Sequence, residues 1–492
     1  MKKLLSLLIL FALILQTAAC GSGGQQNDTQ ADNSSDTTSD APETNYLDQF
    51  KDKNFGGETF NIIAEDYSGH PNIPPEEQTG EVVNDALYER DSTVEERLGI
   101  TINYIHYENR GELRSAVQTA VNAGDPAYDM IINSMADGLN SLAPNGYLLD
   151  LGSLPSLTLD EAWWSHSCYE NLSFYGKQYI TSGPISLDYY YAPCIIAFNQ
   201  RICEEYQIPD LYELVLDGKW TLDKFSEVTK NVAQDLNSDG IMGTDDFYAF
   251  ACDELTGQAF YIGAGGTQTE VDSNGDPVLT MATAKNSDIL DKIITVVAND
   301  SFRLLTEGVS PANTTTPAEK KTWHFKNSQT MLLGYNMSGI IACLRDMKDD
   351  YGIIPMPKYN ENQDEYLTYG SPWGPCGVAV PVTLEAGKYD MVGTAMEMMA
   401  YISYTTVGTQ MFNITLKEKV SRDENSKTML DIIYADVIFD LNGIHNFGST
   451  GTTLRSCAIG AKENFSSLYA SMLSKAETEL ANLLEQYQSI EE

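Results

Sequence analysis

Thr59-Phe60-Asn61-Ile62-Ile63-Ala64 is a short β-rich run, and the residues downstream of it set the architecture. Val83, Leu87, Val94 and Leu98 fall near the period of one helix face and stop before Gly99. Ile100 to Tyr104 reads as a second strand, Leu113, Val117 and Val121 mark a second helix, and Tyr128 to Ile132 reads as a third strand. Strand, helix, strand, helix, strand predicts an α/β fold on a largely parallel, doubly wound sheet. Ligands on such sheets sit beyond the carboxyl ends of the strands. Here those ends are Glu65-Asp66-Tyr67 and Asn133-Ser134-Met135-Ala136-Asp137.

Upstream of this run the chain is not globular. Lys2 and Lys3 precede an apolar stretch from Leu4 to Leu15, and Thr17-Ala18-Ala19 leads into Cys20. That stretch is shorter than the roughly 20 residues a bilayer core demands, so residues 1–19 read as a secretory signal. The run ending in Cys20 resembles the lipobox of bacterial lipoproteins, with Thr17 where an aliphatic residue is usual. The resemblance implies lipidation of Cys20. Residues 20–55 are mostly Gly, Ser, Asn, Asp, Thr and Gln, a composition that buries too little apolar surface to offset chain entropy and reads as a flexible tether. An exported body held at the outer face of the cell membrane through a lipid alone is the expectation.

The full chain has 492 residues, with 30 Lys and Arg against 70 Asp and Glu, a formal net charge of −40. Nucleic-acid binding is excluded as a class, because phosphate contacts take clustered cations. With 42% hydrophobic and 10% aromatic residues the body has the material for a large core. After Cys20, seven cysteines remain (Cys168, Cys194, Cys203, Cys252, Cys343, Cys376 and Cys457), an odd number without a C-x-x-C pair. Buried thiols fit them better than a disulfide framework or a zinc ribbon.

The middle of the chain is punctuated differently. Ile185 to Phe198 is apolar and aromatic, holding Tyr189, Tyr190 and Tyr191, and reads as a long strand running into Asn199. A helix is expected after Trp220, capped by Thr221 and burying Phe225 and Val228. Thr330 to Leu333 reads as a strand breaking at Gly334, Tyr351 to Ile354 as an edge strand ended by Pro355, and Gly370 to Pro375 as a turn-rich break before Val378. The last third, including Leu468 to Tyr487, is mainly helical.

The order of these landmarks resembles a family. The lipoprotein signal and tether, Gly124-Asp125-Pro126-Ala127-Tyr128-Asp129, Ala197-Phe198-Asn199, Gly218-Lys219-Trp220-Thr221 and Gly352-Ile353-Ile354-Pro355-Met356-Pro357-Lys358 together look like the extracellular solute-binding proteins of ABC importers, in the branch associated with sugars and oligosaccharides. That resemblance implies a two-lobed periplasmic-binding-protein-like fold of type II, with discontinuous lobes joined by crossing hinge strands. On this chain it implies residues 56–190 with 378–430 as the first lobe and 191–377 with 431–492 as the second. The crossings fall near Ser186 to Cys194 and Tyr369 to Val378. It further implies a monomer that closes on a small solute and docks on the transmembrane subunits of a permease.

Within that frame the expected solute is a mono- or oligosaccharide. Sugars present apolar C–H faces for stacking and many hydroxyls, so Trp and Tyr with Asp, Glu, Asn and Arg are the expected lining. The candidates are Glu65, Asp66, Asn133 and Asp137 at the first lobe's strand ends, Asp188, Tyr189 and Trp373 at the crossings, and Tyr335 and Asn336 in the second lobe. Trp164 joins them, because adjacent Trp163 and Trp164 point to different sides, whereas Trp220 and Tyr191 are expected in packing.

Asp235-Leu236-Asn237-Ser238-Asp239-Gly240-Ile241 continues to Asp245-Asp246 and places oxygen ligands in the order of a calcium loop: Asp235, Asn237, Asp239, the Ile241 carbonyl and Asp246. A structural calcium ion is the expectation there, with a polar loop of Asx turns as the alternative. No other cofactor is called for. No H-E-x-x-H, G-x-S-x-G or Walker loop occurs, and the five His are never three or four apart. A binding protein, not an enzyme, is the expectation; a secreted glycosidase or a capture lipoprotein without a transporter is the alternative.

Overall fold

The computed structural model describes residues 45–66, 72–309, 311–418, 424–460 and 464–491. The chain forms two compact units, Met1–Asp48 and Gln49–Glu492. In the first, only residues 45–48 are described, so the signal, Cys20 and most of the tether lie outside the described residues. The second unit holds the sheets and the helices that pack on them.

The strands of its main sheets are, in chain order, β1 (Glu58–Glu65), β2 (Ile100–Tyr107), β3 (Met130–Asn133), β4 (Thr181–Ser182), β5 (Cys194–Asn199), β6 (Tyr248–Cys252), β7 (Arg303–Leu305), β8 (Thr330–Asn336), β9 (Tyr351–Ile354), β10 (Thr368–Tyr369), β11 (Gly377–Ala379) and β12 (Val437–Ile438). The first sheet has the order β2-β1-β3-β11-β4, and the second the order β7-β6-β8-β5-β9. In the first, β1 runs parallel to β2 and β3, with Ile62 opposite Tyr104 and Met130 and Ile63 opposite Ile105 and Ile131. Helices α1 (Val82–Leu98) and α2 (Arg110–Ala123) make the crossovers. Both end where the sequence places a stop, at Gly99 (φ 60°) and Gly124 (φ 66°), left-handed positions that glycine adopts without steric cost. Val83, Leu87, Val94 and Leu98 are buried along α1, and Leu113 and Val117 along α2. Phe60, Ile62, Ile63 and Ala64 are all fully buried, as in a parallel strand covered on both faces. Each such Ile or Phe contributes about 1.5–3 kcal/mol of burial.

The second sheet mixes directions: β6, β7 and β8 are mutually parallel, and β5 runs antiparallel to β8 and β9. The helix Leu222–Thr229 starts as expected, with Thr221 capping the Lys224 amide, and Trp220 is fully buried with its Nε1 donating to Pro355 O at 3.0 Å. The chain leaves the first sheet after Ser182, enters the second at Cys194, and returns over Gly370–Cys376 to β11; the parallel pair β10 and β12 lies at this crossing.

Three readings need correction. The aromatic run is not one strand from Ile185: Asp188–Tyr191 is a helical turn, and β5 begins only at Cys194. The cause is tertiary, because buried Asn72 accepts both Ser186 Oγ (2.9 Å) and the Leu187 amide (3.0 Å), holding the backbone in a turn despite its β-prone side chains. Strand β8 does not break at Gly334 but runs to Asn336, since Gly334 lets Thr256 and Phe250 pack against it. The final helix does not belong to one lobe. In that helix, Phe465–Glu491, Phe465 and Tyr469 pack in the second sheet's core, while Leu480, Leu483 and Tyr487 join the first sheet's core, where Tyr487 stacks on Phe174 at 4.0 Å. Leu430, expected in the first lobe, packs with Ile195 and Ile353 of the second sheet, beside Ile433, expected there. At the other end of the unit, Phe50 is buried and Lys53 pairs with Asp390, so packed structure begins before residue 56.

Candidate functional site

The two sheets meet at a cavity of about 210 Å³ lined by Arg110, Asp188, Tyr191, Ala192, Asn336, Ser338, Ser371, Trp373 and Gly374. Each side of it is built by local sequence. On the first sheet, Asn109 comes after β2 and caps α2 by accepting from the Gly111 and Glu112 amides, which makes Arg110 the first helical residue. Its guanidinium is braced on Glu65, at the carboxyl end of β1, with Nε and Nη2 both 3.1 Å from Oε1. Nη1 donates to the Trp373 carbonyl at 2.7 Å. Burial pushes the Glu65 carboxyl up from its ordinary range, and the charge of Arg110 pulls it partly back.

The loop carrying Trp373 is fastened through three of its carbonyls. Pro372 O accepts from Ser134 Oγ and from the amides of Met135 and Ala136, all at 3.1 Å, Trp373 O from Arg110, and Pro375 O from Ser186 Oγ at 2.7 Å. Trp373 itself stays 41% exposed. Behind it, Asn72 Nδ2 donates to Asp188 Oδ2 at 3.1 Å, so the residue that bends the crossing segment also fixes the carboxylate in the cavity wall. Gly374 is required by this close approach, since a Cβ there would lie 2.9 Å from Asp188 Oδ1.

From the second sheet comes α3 (Met337–Cys343), capped by Asn336, whose Oδ1 accepts from the Gly339 amide (3.2 Å) and from Ser338 Oγ (2.9 Å). The Met337 amide donates to Pro193 O at 2.8 Å and ties this end to the crossing chain. The wall therefore combines one half-exposed indole, one phenol, a carboxylate, a guanidinium, an amide and two hydroxyls.

Of the residues expected at the site, Asp188, Asn336 and Trp373 line the cavity, and Glu65 stands behind Arg110. The others lie elsewhere for definable reasons. Asp66 accepts from the Asn72 amide at 3.3 Å beside the site. Asn133 is fully buried, its Oδ1 taken by the Ser134 amide at 2.7 Å. Asp137 is exposed and 3.5 Å from Arg114. Tyr189 packs edge-on against Tyr190 at 5.7 Å and near Tyr434. Tyr335 is buried in the second sheet's core with Lys321 Nζ 5.5 Å from its ring centre.

Trp164 is buried and donates through Nε1 to Glu397 at 3.0 Å; Trp163 donates to the same carboxylate at 2.9 Å, and the Thr158 amide at 3.1 Å. The adjacent indoles thus converge on one buried acid instead of dividing between core and cleft. Sequence reasoning missed Arg110, Ala192, Ser338, Ser371 and Gly374; Tyr191, expected in packing, does pack against the cluster of Tyr190 and Met411 and lines the cavity as well. The strand-end rule, applied to the second strand as well as the first and third, would have reached Arg110.

In the acidic loop, Asp235 accepts from the Ser238 (2.7 Å) and Gly240 (2.8 Å) amides, Asp239 from Ile241 (2.8 Å), and Asp246 from Leu236 (2.8 Å) and Gly243 (2.6 Å). Those backbone bonds hold the Asp246 carboxyl below its usual range. Asx turns of this kind close the loop with its own donors. Among the described residues no three His, Cys, Asp or Glu side chains are gathered as a metal site, so calcium here rests on the ligand pattern. The seven cysteines after Cys20 are buried thiols, and burial pushes those of Cys168 and Cys203 up to about 12. No helix among the described residues is long and apolar enough to cross a membrane.

Comparison with known proteins places this architecture. No curated protein matches the chain. Among solved structures, a cyclo/maltodextrin-binding protein complexed with maltotetraose is 10% identical, with 88% of this chain and 97% of that one covered and a TM-score of 0.52. UgpB from Mycobacterium tuberculosis, in complex with glycerophosphocholine, is 14% identical over 87% and 99%, also at 0.52. A family 1 extracellular solute-binding protein from Bifidobacterium longum subsp. infantis is 12% identical over 88% and 100%, at 0.50. These likenesses show the fold, the two-lobed α/β fold of such binders. The profile of the bacterial extracellular solute-binding protein family matches residues 80–383, more than half the chain and all the cavity-lining residues. The chain belongs to the bacterial extracellular solute-binding proteins.

Proposed function

We propose that the cavity captures a neutral carbohydrate, which the protein, as the solute-binding component of an ABC importer, delivers to the transmembrane subunits of its permease. The observation that carries this reading is Trp373: an indole left 41% exposed on a loop whose carbonyls are otherwise tied down, facing a wall of hydroxyl, amide and carboxylate groups. An aromatic face packs on the C–H face of a sugar ring, and Asp188, Asn336, Ser338 and Ser371 have the donors and acceptors its hydroxyls need. The charges of Arg110 and Glu65 neutralise each other, which leaves a highly anionic solute without a dedicated clamp. Arg110 and Trp373 are held by the first sheet's edge and Asn336 and Ser338 by the second's, so a solute bridging them favours lobe closure.

The glycosidase alternative is weaker. Among the described residues a single carboxylate, Asp188, lines the cavity, whereas glycoside hydrolysis ordinarily takes two across the bond. Lipidation at Cys20 and a tether beyond it complete the proposal and keep the body beside the permease. A thermal-shift screen of purified protein against neutral mono- and oligosaccharides and short peptides tests it: a sugar should raise Tm, and a peptide-only response would refute the carbohydrate reading.

A further inference from the structure

We infer that Arg110 is a positioning residue whose task is to set Trp373 in the cleft. This rests on the preceding reading of the cleft as the solute site and adds what aims its aromatic group. A guanidinium is a planar fork with donors in fixed directions, so one side chain can serve two acceptors on different elements at once. Arg110 uses that geometry: one edge is spent on Glu65 at 3.1 Å, and Nη1 reaches the backbone oxygen of Trp373 at 2.7 Å, the short distance of a charge-assisted bond.

The bond is placed where it matters. Pro372 O is held by three donors from the segment after β3, and Pro375 O by Ser186, but between these anchors the carbonyl of Trp373 is held by a side chain reaching from α2. Glu65 is buried and acts as the brace that fixes the guanidinium plane. A lysine keeps a positive charge for Glu65, but its single ammonium lacks the fork that spans both acceptors.

The test uses the purified protein and time-resolved fluorescence anisotropy of Trp373, isolated by subtracting the same protein carrying Trp373→Phe. In the starting protein the indole should tumble with the whole molecule. In Arg110→Ala, and in Arg110→Lys, which keeps the charge beside Glu65 and guards against misfolding, a fast local component should appear, larger in the alanine variant. Unchanged Trp373 anisotropy in both variants would overturn the inference and reduce Arg110 to a counter-ion of Glu65. Maltotetraose serves as the binding probe: where it raises the Tm of the starting protein, Arg110→Ala should bind it about tenfold more weakly, in line with one lost charge-assisted bond, and undiminished affinity would count against the inference. Because the anisotropy is read without sugar, failure of the carbohydrate reading leaves the positioning result standing.

Discussion

Replacing Glu397 with Gln changes one atom of a buried group and tests whether the adjacent tryptophans are structural. In the native protein Oε1 accepts from Trp163 Nε1 and Thr158 Oγ1, and Oε2 from the Thr158 amide and Trp164 Nε1. All four groups donate in this arrangement. A glutamine has one accepting oxygen and one NH₂, so in either orientation one buried indole N–H, that of Trp163 or of Trp164, faces the NH₂ and loses its acceptor, whereas the Thr158 hydroxyl can turn and accept. A buried donor left unpaired costs about 1–3 kcal/mol, so Glu397→Gln should cost about 1–3 kcal/mol with shape almost unchanged. Both indoles are buried, so no water makes up the difference for them. Urea unfolding followed by tryptophan fluorescence is a direct assay, because the reporting indoles are the affected donors. A loss within about 0.5 kcal/mol, the scale of a surface substitution, would refute the reasoning and reopen Trp164 as a group with another role.

The same geometry carries further expectations. With 41% of a side chain of up to about 250 Å² exposed, and about half of that covered by one ring, Trp373→Ala should lose about 1.3 kcal/mol of sugar affinity, close to tenfold by calorimetry, with a smaller effect on Tm; undiminished affinity would remove Trp373 from the site. Asp440 is buried and its carboxyl is pushed up to about 6 from 3.8, chiefly by burial, although the amides of Gly443, Thr269, Gln268 and Asn442 pull it back. A raised folded-state value means that ionising Asp440 costs stability as pH rises through about 4 to 6. Asp440→Asn, which preserves the helix cap, should therefore flatten the pH dependence of stability by up to about 3 kcal/mol across that window, and an unchanged profile would exclude Asp440 as its source. For the 235–246 loop we propose a structural calcium ion on the ligand order Asp235, Asn237, Asp239, the Ile241 carbonyl and Asp246; EDTA should lower Tm and excess calcium restore it, while an unchanged midpoint would leave the Asx turns as the whole account.

The parts of this protein that were legible in its sequence are those where side-chain period and burial coincide. Phe60 to Ala64 and the Leu113 and Val117 face could be read residue by residue because each element buries one predictable surface. The turn at Asp188–Tyr191 could not, because a single buried amide, Asn72, arrives from more than a hundred residues away and overrides a β-prone run. The site was half legible. Trp373 and Asn336 announce themselves by position, one between Pro and Gly, the other at a strand end. Arg110 and Ser338 lie one and two residues past helix caps; the approach of Arg110 to Trp373 is a property of tertiary packing, whereas Ser338 turns back locally onto Asn336. Trp164 misled for a related reason, since its partner Glu397 is invisible at the level of local pattern.

The central claim is that a neutral sugar sits between Trp373 on one sheet's edge and Asn336 with Ser338 on the other. Isothermal titration of purified protein with the sugar giving the largest thermal shift, repeated with Trp373→Ala and Asn336→Ala, tests it most directly. The account predicts saturable one-to-one binding weakened in both variants. A sugar that binds equally well to both, or a peptide that binds where every sugar fails, would contradict it.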